Sequence, residues 1–160
     1  MNTKKTAIKK SLGIISLVLF TLDRITKYWI QKSNFSLEGK LVKINLVKNE
    51  DLFFFPVNKT LLLTISTAVL IGLSYAVIKS IIEKKNILTL GLFLILLGGI
   101  SNMADRIFLG YALDWIWVII YPLATFNVAD IMITFGIIIL IFQHIKHPSL
   151  VGVTVKPNHT

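Results

Sequence analysis

The sequence predicts an all-α membrane protein: four transmembrane helices with a small β-rich extracytoplasmic loop. Three observations carry this expectation. Of 160 residues, 54% are hydrophobic and only 16% are charged, and the mean hydropathy is +0.74. Soluble domains hold about 45–50% apolar residues, glycine included, and about 25% charged ones. That excess excludes an intrinsically disordered chain and leaves too little polar surface for an ordinary soluble globule. Second, the apolar residues gather into four runs near the ~20 residues a bilayer span requires. Third, basic residues cluster at the ends of those runs, as the positive-inside rule expects.

The first run covers residues 7–30. Its apolar stretch, Leu12–Leu22, is followed by Asp23, Arg24 and Lys27. Lys4, Lys5, Lys9 and Lys10 ahead of a short apolar region also fit a secretory leader. No small-x-small cleavage site follows, and Tyr28-Trp29-Ile30 extends the apolar face, so this reads as a retained helix with its aromatic end at an interface. The second run covers 60–82, where Lys79 can snorkel. The third covers 87–104, joined to the second by the polar turn Glu83-Lys84-Lys85-Asn86. The fourth covers 127–145 and ends at Lys146-His147-Pro148. Residues 1–148 are expected to form one integral membrane domain, and 149–160, polar and aperiodic, a flexible cytoplasmic tail. There is no internal repeat and no low-complexity segment.

Four spans put both termini on one side. The N-terminal lysines, the Lys79/Lys84/Lys85 turn and Lys146 share that side, which the rule makes cytoplasmic. The formal charge of +9 is then a matter of topology and anionic headgroups rather than of nucleic acid. The first outer loop also holds Arg24, Lys27, Lys32, Lys40, Lys43, Lys48 and Lys59, so charge alone supports the orientation incompletely. Two outer loops remain, 31–59 and 107–126. In the first, Lys40–Leu46 alternates, with Val42, Ile44 and Leu46 on one face and Lys43 and Asn45 on the other, the pattern of a short half-buried strand. Phe53-Phe54-Phe55-Pro56 then forms an aromatic patch suited to the lipid interface. The second loop is amphipathic and aromatic (Trp115, Trp117, Tyr121), and Asp114 and Pro122 break it too much to span.

Chemistry is confined by what the chain lacks. With no Cys, thiol nucleophiles, disulfides and Cys-based metal sites are excluded. His144, His147 and His159 lie at the opposite end or in the tail, which disfavours Ser–His or metal–His chemistry. Four of eight acidic residues, Asp23, Asp105, Asp114 and Asp130, lie within or beside apolar runs. A charge at mid-bilayer costs at least about 2.5–3.5 kcal/mol, so it usually marks a functional site. Asp105 beside Arg106 also fits a paired interfacial charge, whereas Asp130 has no basic residue within one turn. Asp23 and Lys27 share a helix face at i,i+4, as do Asn102 and Arg106; Asn127 and Asp130 are i,i+3, with Thr134 one turn further. Three helices thus bring polar faces to one membrane level, with Asp114 in the loop between two of them. Ser101 lacks a specified general base and reads better as a small residue for helix packing. Two carboxylates sharing a proton can hydrolyse a peptide without cofactor or metal, one as general base and one as general acid. Sequence does not show two Asp side chains meeting, but Asp114 and Asp130 flank one short loop and so are able to.

Four stretches carry a family resemblance: Asp23-Arg24-Ile25-Thr26-Lys27; Gly98-Gly99-Ile100-Ser101-Asn102-Met103-Ala104-Asp105-Arg106; the continuation through Gly110 to Asp114-Trp115-Ile116; and Phe126-Asn127-Val128-Ala129-Asp130. In order, spacing and hydropathy, over nearly the whole chain except the tail, the sequence resembles the lipoprotein signal peptidases (signal peptidase II) of bacterial inner membranes. The resemblance implies a four-helix aspartyl endopeptidase of the bacterial plasma membrane, with both termini cytoplasmic and its active site toward the extracytoplasmic face. Its catalytic dyad would fall on Asp114 and Asp130. Site-shaping or substrate-binding residues would fall on Asp23, Lys27, Asn49, Asn102, Asp105, Arg106 and Asn127; Asn102, Arg106 and Asn127 are expected to bind substrate backbone or orient the dyad, and Asp23 to support the fold. The implied partners are a diacylglyceryl-modified prolipoprotein, cut before its lipidated Cys, and membrane lipids. No cofactor, metal or nucleic acid is expected, and a monomer suffices. The family's outer loop forms a small sheet that cradles substrate, in keeping with the pattern at Lys40–Leu46. One stretch departs from the family: Asn49-Glu50-Asp51-Leu52-Phe53-Phe54-Phe55 lacks the Gly and small residues that follow the Asn. Gly there would permit positive φ or close approach to a ligand; Asp51 hinders both and adds negative charge. Ser101 also stands where the family often has Gly.

Two other readings fit part of the pattern. Intramembrane Asp with nearby Asn and Arg would also serve a small transporter or proton-conducting subunit, which would need to oligomerise. The altered 49–55 stretch would suit a non-catalytic binder of lipidated signal peptides.

Overall fold

The computed structural model describes residues 2–33, 35–50, 58–118 and 125–146, with side chains on the first helix described from residue 13. In chain order it contains α1 (Asn2–Ser33), β1 (Leu37–Glu38), β2 (Val42–Asn49), α2 (Lys59–Ile82), α3 (Asn86–Phe108), β3 (Ala112–Val118), β4 (Thr125–Phe126) and α4 (Val128–Lys146). Tyr121, Pro122, the 53–56 aromatic patch, Asp51 and the 149–160 tail lie outside the described residues.

The helices begin and end where local chemistry allows. Asn58 caps α2, its side chain accepting the Thr60 N–H at 2.8 Å. Past the end of α2, Lys84 takes φ 58° and the Lys85 N–H returns to the Ser80 carbonyl at 3.0 Å, closing the tight turn into α3. Helix α3 runs one turn beyond the expected end at 104, so Asp105 and Arg106 are helical. Helix α4 starts at Val128, leaving Asn127 as its cap rather than its first residue.

Helix α3 packs against the other three helices, and glycine sets its distance from α4. A Cβ on Gly136 would lie 2.6 Å from the Gly91 carbonyl oxygen, and one on Gly98 2.6 Å from that of Ala129. Small residues let helix backbones approach where there is no hydrophobic drive between them. Between α2 and α3, Val77, Leu92 and Leu96 form a buried apolar cluster.

Burial is inverted relative to a soluble protein. Asp23, Ser16, Ser101 and Asn127 are fully buried, while Ile71, Tyr75, Ile82, Phe108 and Ile145 are each mostly exposed. Only hydrocarbon as solvent makes this the low-energy arrangement, because lipid accepts the isoleucines and the polar groups must satisfy each other. Helices α2, α3 and α4 are long and apolar enough to cross a membrane. Helix α1 is the longest, yet lysines before residue 11 and Asp23, Arg24 and Lys27 after residue 22 shorten its charge-free stretch.

The four strands form one antiparallel sheet in the order β1-β2-β3-β4. Three features correct the sequence reading. Strand β3, in the outer loop read only as amphipathic and aromatic, is one of the two long strands. Strand β2 extends to Asn49. Its expected alternation is absent: Val42 is exposed and residues 43–47 are uniformly half-buried, because the register shifts between Ile44 and Val47. Such a bulge re-aims side chains and breaks the two-residue period. Beyond the shift, Val47 faces Asp114 and Asn49 faces Ala112.

Candidate active site

The site is built around the N-terminus of α4. Asn127 accepts the Asp130 N–H on Oδ1 at 3.0 Å, and Asp130 Oδ2 accepts the Asn127 N–H at 3.0 Å. This is a capping box with Asp in the third helical position. Asp23 of α1 joins it, accepting the Ala129 N–H on Oδ1 at 2.8 Å. Two carboxylates thus sit where the helix exposes unpaired N–H groups and positive dipole. The box also fixes the Asn127 amide. With Oδ1 taken, Nδ2 is left to donate to Asp114 Oδ1 at 2.7 Å, to Asn102 Oδ1 at 3.1 Å and to the Leu113 carbonyl at 3.3 Å. One asparagine therefore binds both Asp114 and Asp130.

The remaining carboxylate oxygens have donors of their own. Asn102 Nδ2 donates to Asp130 Oδ1 at 2.8 Å, and Asn49 Nδ2 to Asp114 Oδ2 at 2.8 Å. The bulge in β2 is what lets Asn49, placed diagonally across from Asp114, reach it. An ionised carboxylate oxygen accepts about two hydrogen bonds. Each of the four oxygens here accepts at least one. Burial pushes the Asp114 carboxyl up to about 6; the Asn49 bond opposes this, the nearby Asp130 charge adds to it, and Asn127 and Lys27 counter it.

Beneath the two carboxylates lies a buried ionic cluster. Lys27 Nζ contacts Asp105 Oδ2 at 2.8 Å and Asp23 Oδ2 at 3.0 Å, and donates to Asn102 Oδ1 at 2.8 Å. Arg24 Nη1 pairs with Asp105 Oδ1 at 2.5 Å and donates to the Ser101 hydroxyl at 3.1 Å. Ser101 in turn donates to Asp23 Oδ2 at 2.5 Å. Two cations balance two carboxylates, which lets Asp23, Lys27 and Asp105 persist in full burial while Arg24 stays partly exposed. Among the described residues, no group of three or more His, Cys, Asp or Glu is placed to hold a metal ion.

Eight of the nine site residues expected from sequence (Asp23, Lys27, Asn49, Asn102, Asp105, Asp114, Asn127, Asp130) thus fall into one hydrogen-bonded assembly. The ninth, Arg106, sits one turn beyond Asn102 with Nε buried, close enough for its charge to act on Asp105, Asp114 and Asp130. Three details differ from expectation. Asp105 pairs with Arg24 and Lys27 of another helix. Thr134 faces outward and returns its hydroxyl to the Asp130 carbonyl at 2.8 Å. Ser101 is more than a packing residue, since it joins Asp23 to Arg24. Arg24 itself reads from sequence only as a topological charge. Its place one residue after Asp23 is the available signal, but its partner lies 81 positions away.

Fold and site together define a class: a helical membrane protein with a carboxylate-centred polar site at the end of its bundle that carries the sheet. Comparison with known proteins narrows it. The Signal peptidase (SPase) II family model matches residues 15–146. A lipoprotein signal peptidase of Streptococcus agalactiae is 32% identical over 142 residues, covering 85% of this chain and 92% of the relative. One from Moorella thermoacetica is 31% identical over 136 residues, covering 81% and 89%. Among solved structures, a bacterial membrane enzyme determined by the in meso method superposes with TM-score 0.75 at 23% identity, covering 94% of both chains. A second superposes with TM-score 0.72 at 24% identity, covering 86% of this chain and 94% of the other. The chain belongs to the signal peptidase II family.

Proposed function

We propose that this protein is an aspartyl endopeptidase of the bacterial plasma membrane that removes the signal peptide from diacylglyceryl-modified prolipoproteins, cutting before the lipidated Cys. The observation that carries the reading is the sharing of Asn127 by Asp114 and Asp130. Two carboxylates held on one asparagine interact, and a proton on one of them leaves the other free to act as the base. The ionised member takes a proton from water, which attacks the scissile carbonyl carbon. The protonated member gives its proton to the carbonyl oxygen, and a tetrahedral diol forms. Collapse of the diol breaks the C–N bond, and the amine leaves with a proton returned through the dyad. The chemistry uses neither metal nor cofactor. Asn102 and Asn127 orient the dyad, Asn49 holds Asp114 from the sheet, Arg106 brings positive charge to the same end, and Asp23 ties α1 to the start of α4.

The same reading has four spans in one domain, with α1 as the first. The exposed Ile14, Ile15, Leu17, Val18, Leu22 and Ile25 suit that helix to lipid, and its cations are neutralised by the buried cluster. Both termini are then cytoplasmic and the site faces outward, where the sheet cradles substrate and a monomer suffices. The test is cleavage of a diacylglyceryl-modified prolipoprotein by purified protein in detergent, with Asp130→Asn alongside. Cleavage by the native protein alone supports the reading. Binding without cleavage by the native protein would leave a carrier of lipidated signal peptides. Ion flux in liposomes without either would leave a transporter.

A further inference from the structure

Lys27 is a lysine where the bilayer makes lysine expensive, and it touches neither Asp114 nor Asp130 in the hydrogen-bond network described above. Its side chain is 2% exposed, and it lies on α1, which carries neither Asp114 nor Asp130. Asp23 and Asp105 account for two of its contacts. It makes a third, to Asn102 Oδ1 at 2.8 Å.

That third contact helps to set an orientation, together with Asn127 and Asp130. An asparagine amide has one accepting end and one donating end, and neighbours choose between its two flips. At Asn102 the accepting end meets Lys27 Nζ and Asn127 Nδ2, and the donating end meets Asp130 Oδ1. An ammonium has three donors and no acceptor. The Asn127 amide is likewise committed, since its Oδ1 already holds the Asp130 N–H. Reversing Asn102 would press its NH2 against two donors and its carbonyl against a carboxylate. The flip that aims N–H at Asp130 is thus the one Lys27 permits. A cation on the carbonyl also polarises the amide and strengthens the bond its far end donates, an effect magnified at low dielectric.

We infer that Lys27 is a positioning residue for the reaction: acting through Asn102, it holds an N–H on Asp130 and fixes the geometry of the dyad. This rests on the peptidase reading, and it adds a role for a residue whose other contacts are purely structural. It separates Lys27 from Arg24, which shares the cluster but has Ser101 and Asp105 as its partners.

The test is a double-mutant cycle of Lys27→Met and Asn102→Ala, read as single-turnover cleavage of a diacylglyceryl-modified prolipoprotein so that slow variants stay measurable. At metal sites, removing a group that orients a ligand lowers activity about 10–100-fold, and a loss of the same order is expected for a group that orients Asn102. Lys27→Met is expected to slow the chemical step by that factor, with half-saturating enzyme concentration within about twofold of native. In the Asn102→Ala background the same change is expected to lose clearly less than in the native background, because the partner it acts through is gone and only the direct effect of its charge on Asp114 remains. Lys27→Met strips one cation from two buried carboxylates. The cycle is therefore repeated with Asp23→Asn/Lys27→Met, which keeps the cluster neutral and leaves an acceptor for the Ala129 N–H; thermal melting checks that each variant is folded. A folded Lys27 variant with the native rate, a change confined to half-saturation, or a full additional loss in the Asn102→Ala background would each overturn the inference. If the native protein fails to cleave, the peptidase reading falls first and this role falls with it.

Discussion

Asp114 and Asp130 cannot be replaced by their amides without losing the chemistry, even though the fold has room for them. Asn is nearly isosteric with Asp, but it neither takes a proton from water nor shares one. Asp114→Asn and Asp130→Asn should each lower prolipoprotein cleavage by at least about 10³-fold while leaving an inserted, folded protein. Full activity in either variant would defeat the dyad. Asp114 also leaves a signature in stability. Its carboxyl titrates at about 6, above the usual carboxylate range. Between about pH 4 and 6 the folded protein therefore holds a proton that the unfolded chain has lost, and this group's contribution falls as pH rises through that window. Moving a titration midpoint by one pH unit corresponds to about 1.4 kcal/mol. The stability difference between wild type and Asp114→Asn should change by roughly 2 kcal/mol between pH 4 and 7, with wild type losing ground as pH rises. Asn49→Ala, which removes a bond that stabilises the ionised form, should move that midpoint higher. A pH-independent difference in denaturant or thermal unfolding would show that Asp114 is not so perturbed. At the level of single residues the sequence was informative about which side chains matter, because a charge beside an apolar run needs a reason. It showed the local pairs, Asp23 with Lys27 and Asn127 with Asp130, but not the distant ones, because Lys27 and Asp105 lie on different helices.

Between elements, two seams do most of the positioning. The α3–α4 seam depends on Gly91, Gly98 and Gly136, whose missing side chains admit the opposite backbone. Gly136→Ala places a methyl against a carbonyl oxygen and Ile95, and overpacking of this kind costs about 1–3 kcal/mol. Gly98→Ala does the same one turn below Asn102, so it should lower cleavage as well as stability by prying Asn102 from Asp130. Gly72 on α2 has nothing within 4 Å of its missing Cβ. Gly72→Ala is the matched control, expected to be neutral or slightly stabilising on thermal melting. Loss of stability there equal to that of Gly136→Ala would refute the seam argument. The second seam is β2 against β3. Its existence was half legible: the Lys40–Leu46 alternation announced a strand, but β3 hid because Ala112–Val118 alternates poorly and carries a carboxylate and two indoles. Strand pairing is non-local, and the bulge after Ile44 that brings Asn49 to Asp114 has no signature in β2 alone.

For the molecule as a unit, the inverted burial and the four apolar runs lead to one topological expectation. The chain has no native Cys, so single-Cys reporters can be introduced without background. In intact cells, a membrane-impermeant thiol reagent should label Lys43→Cys from outside and leave Lys84→Cys unlabelled until the membrane is opened. The reverse pattern would turn the molecule over, and labelling of both from outside would remove one span.

Composition and short-range pattern sufficed for a membrane protein, the approximate helix spans, the polar turn at 83–86, and the small set of carboxylates and amides that apolar surroundings make conspicuous. These rest on local physics, since a span needs a certain length of apolar residues and i,i+4 neighbours share a face whatever else the chain does. Which groups meet was settled by packing. Asp105 takes Arg24 and Lys27 as partners and Thr134 turns away, because packing of α1 and α4 onto α3 sets those distances. The capping of α4 by Asn127 and Asp130 is local, yet its consequence is not: it fixes an amide that joins Asp114, on strand β3, to Asp130. Choices of that kind depend on contacts between residues far apart in sequence, and no periodicity within one element encodes them.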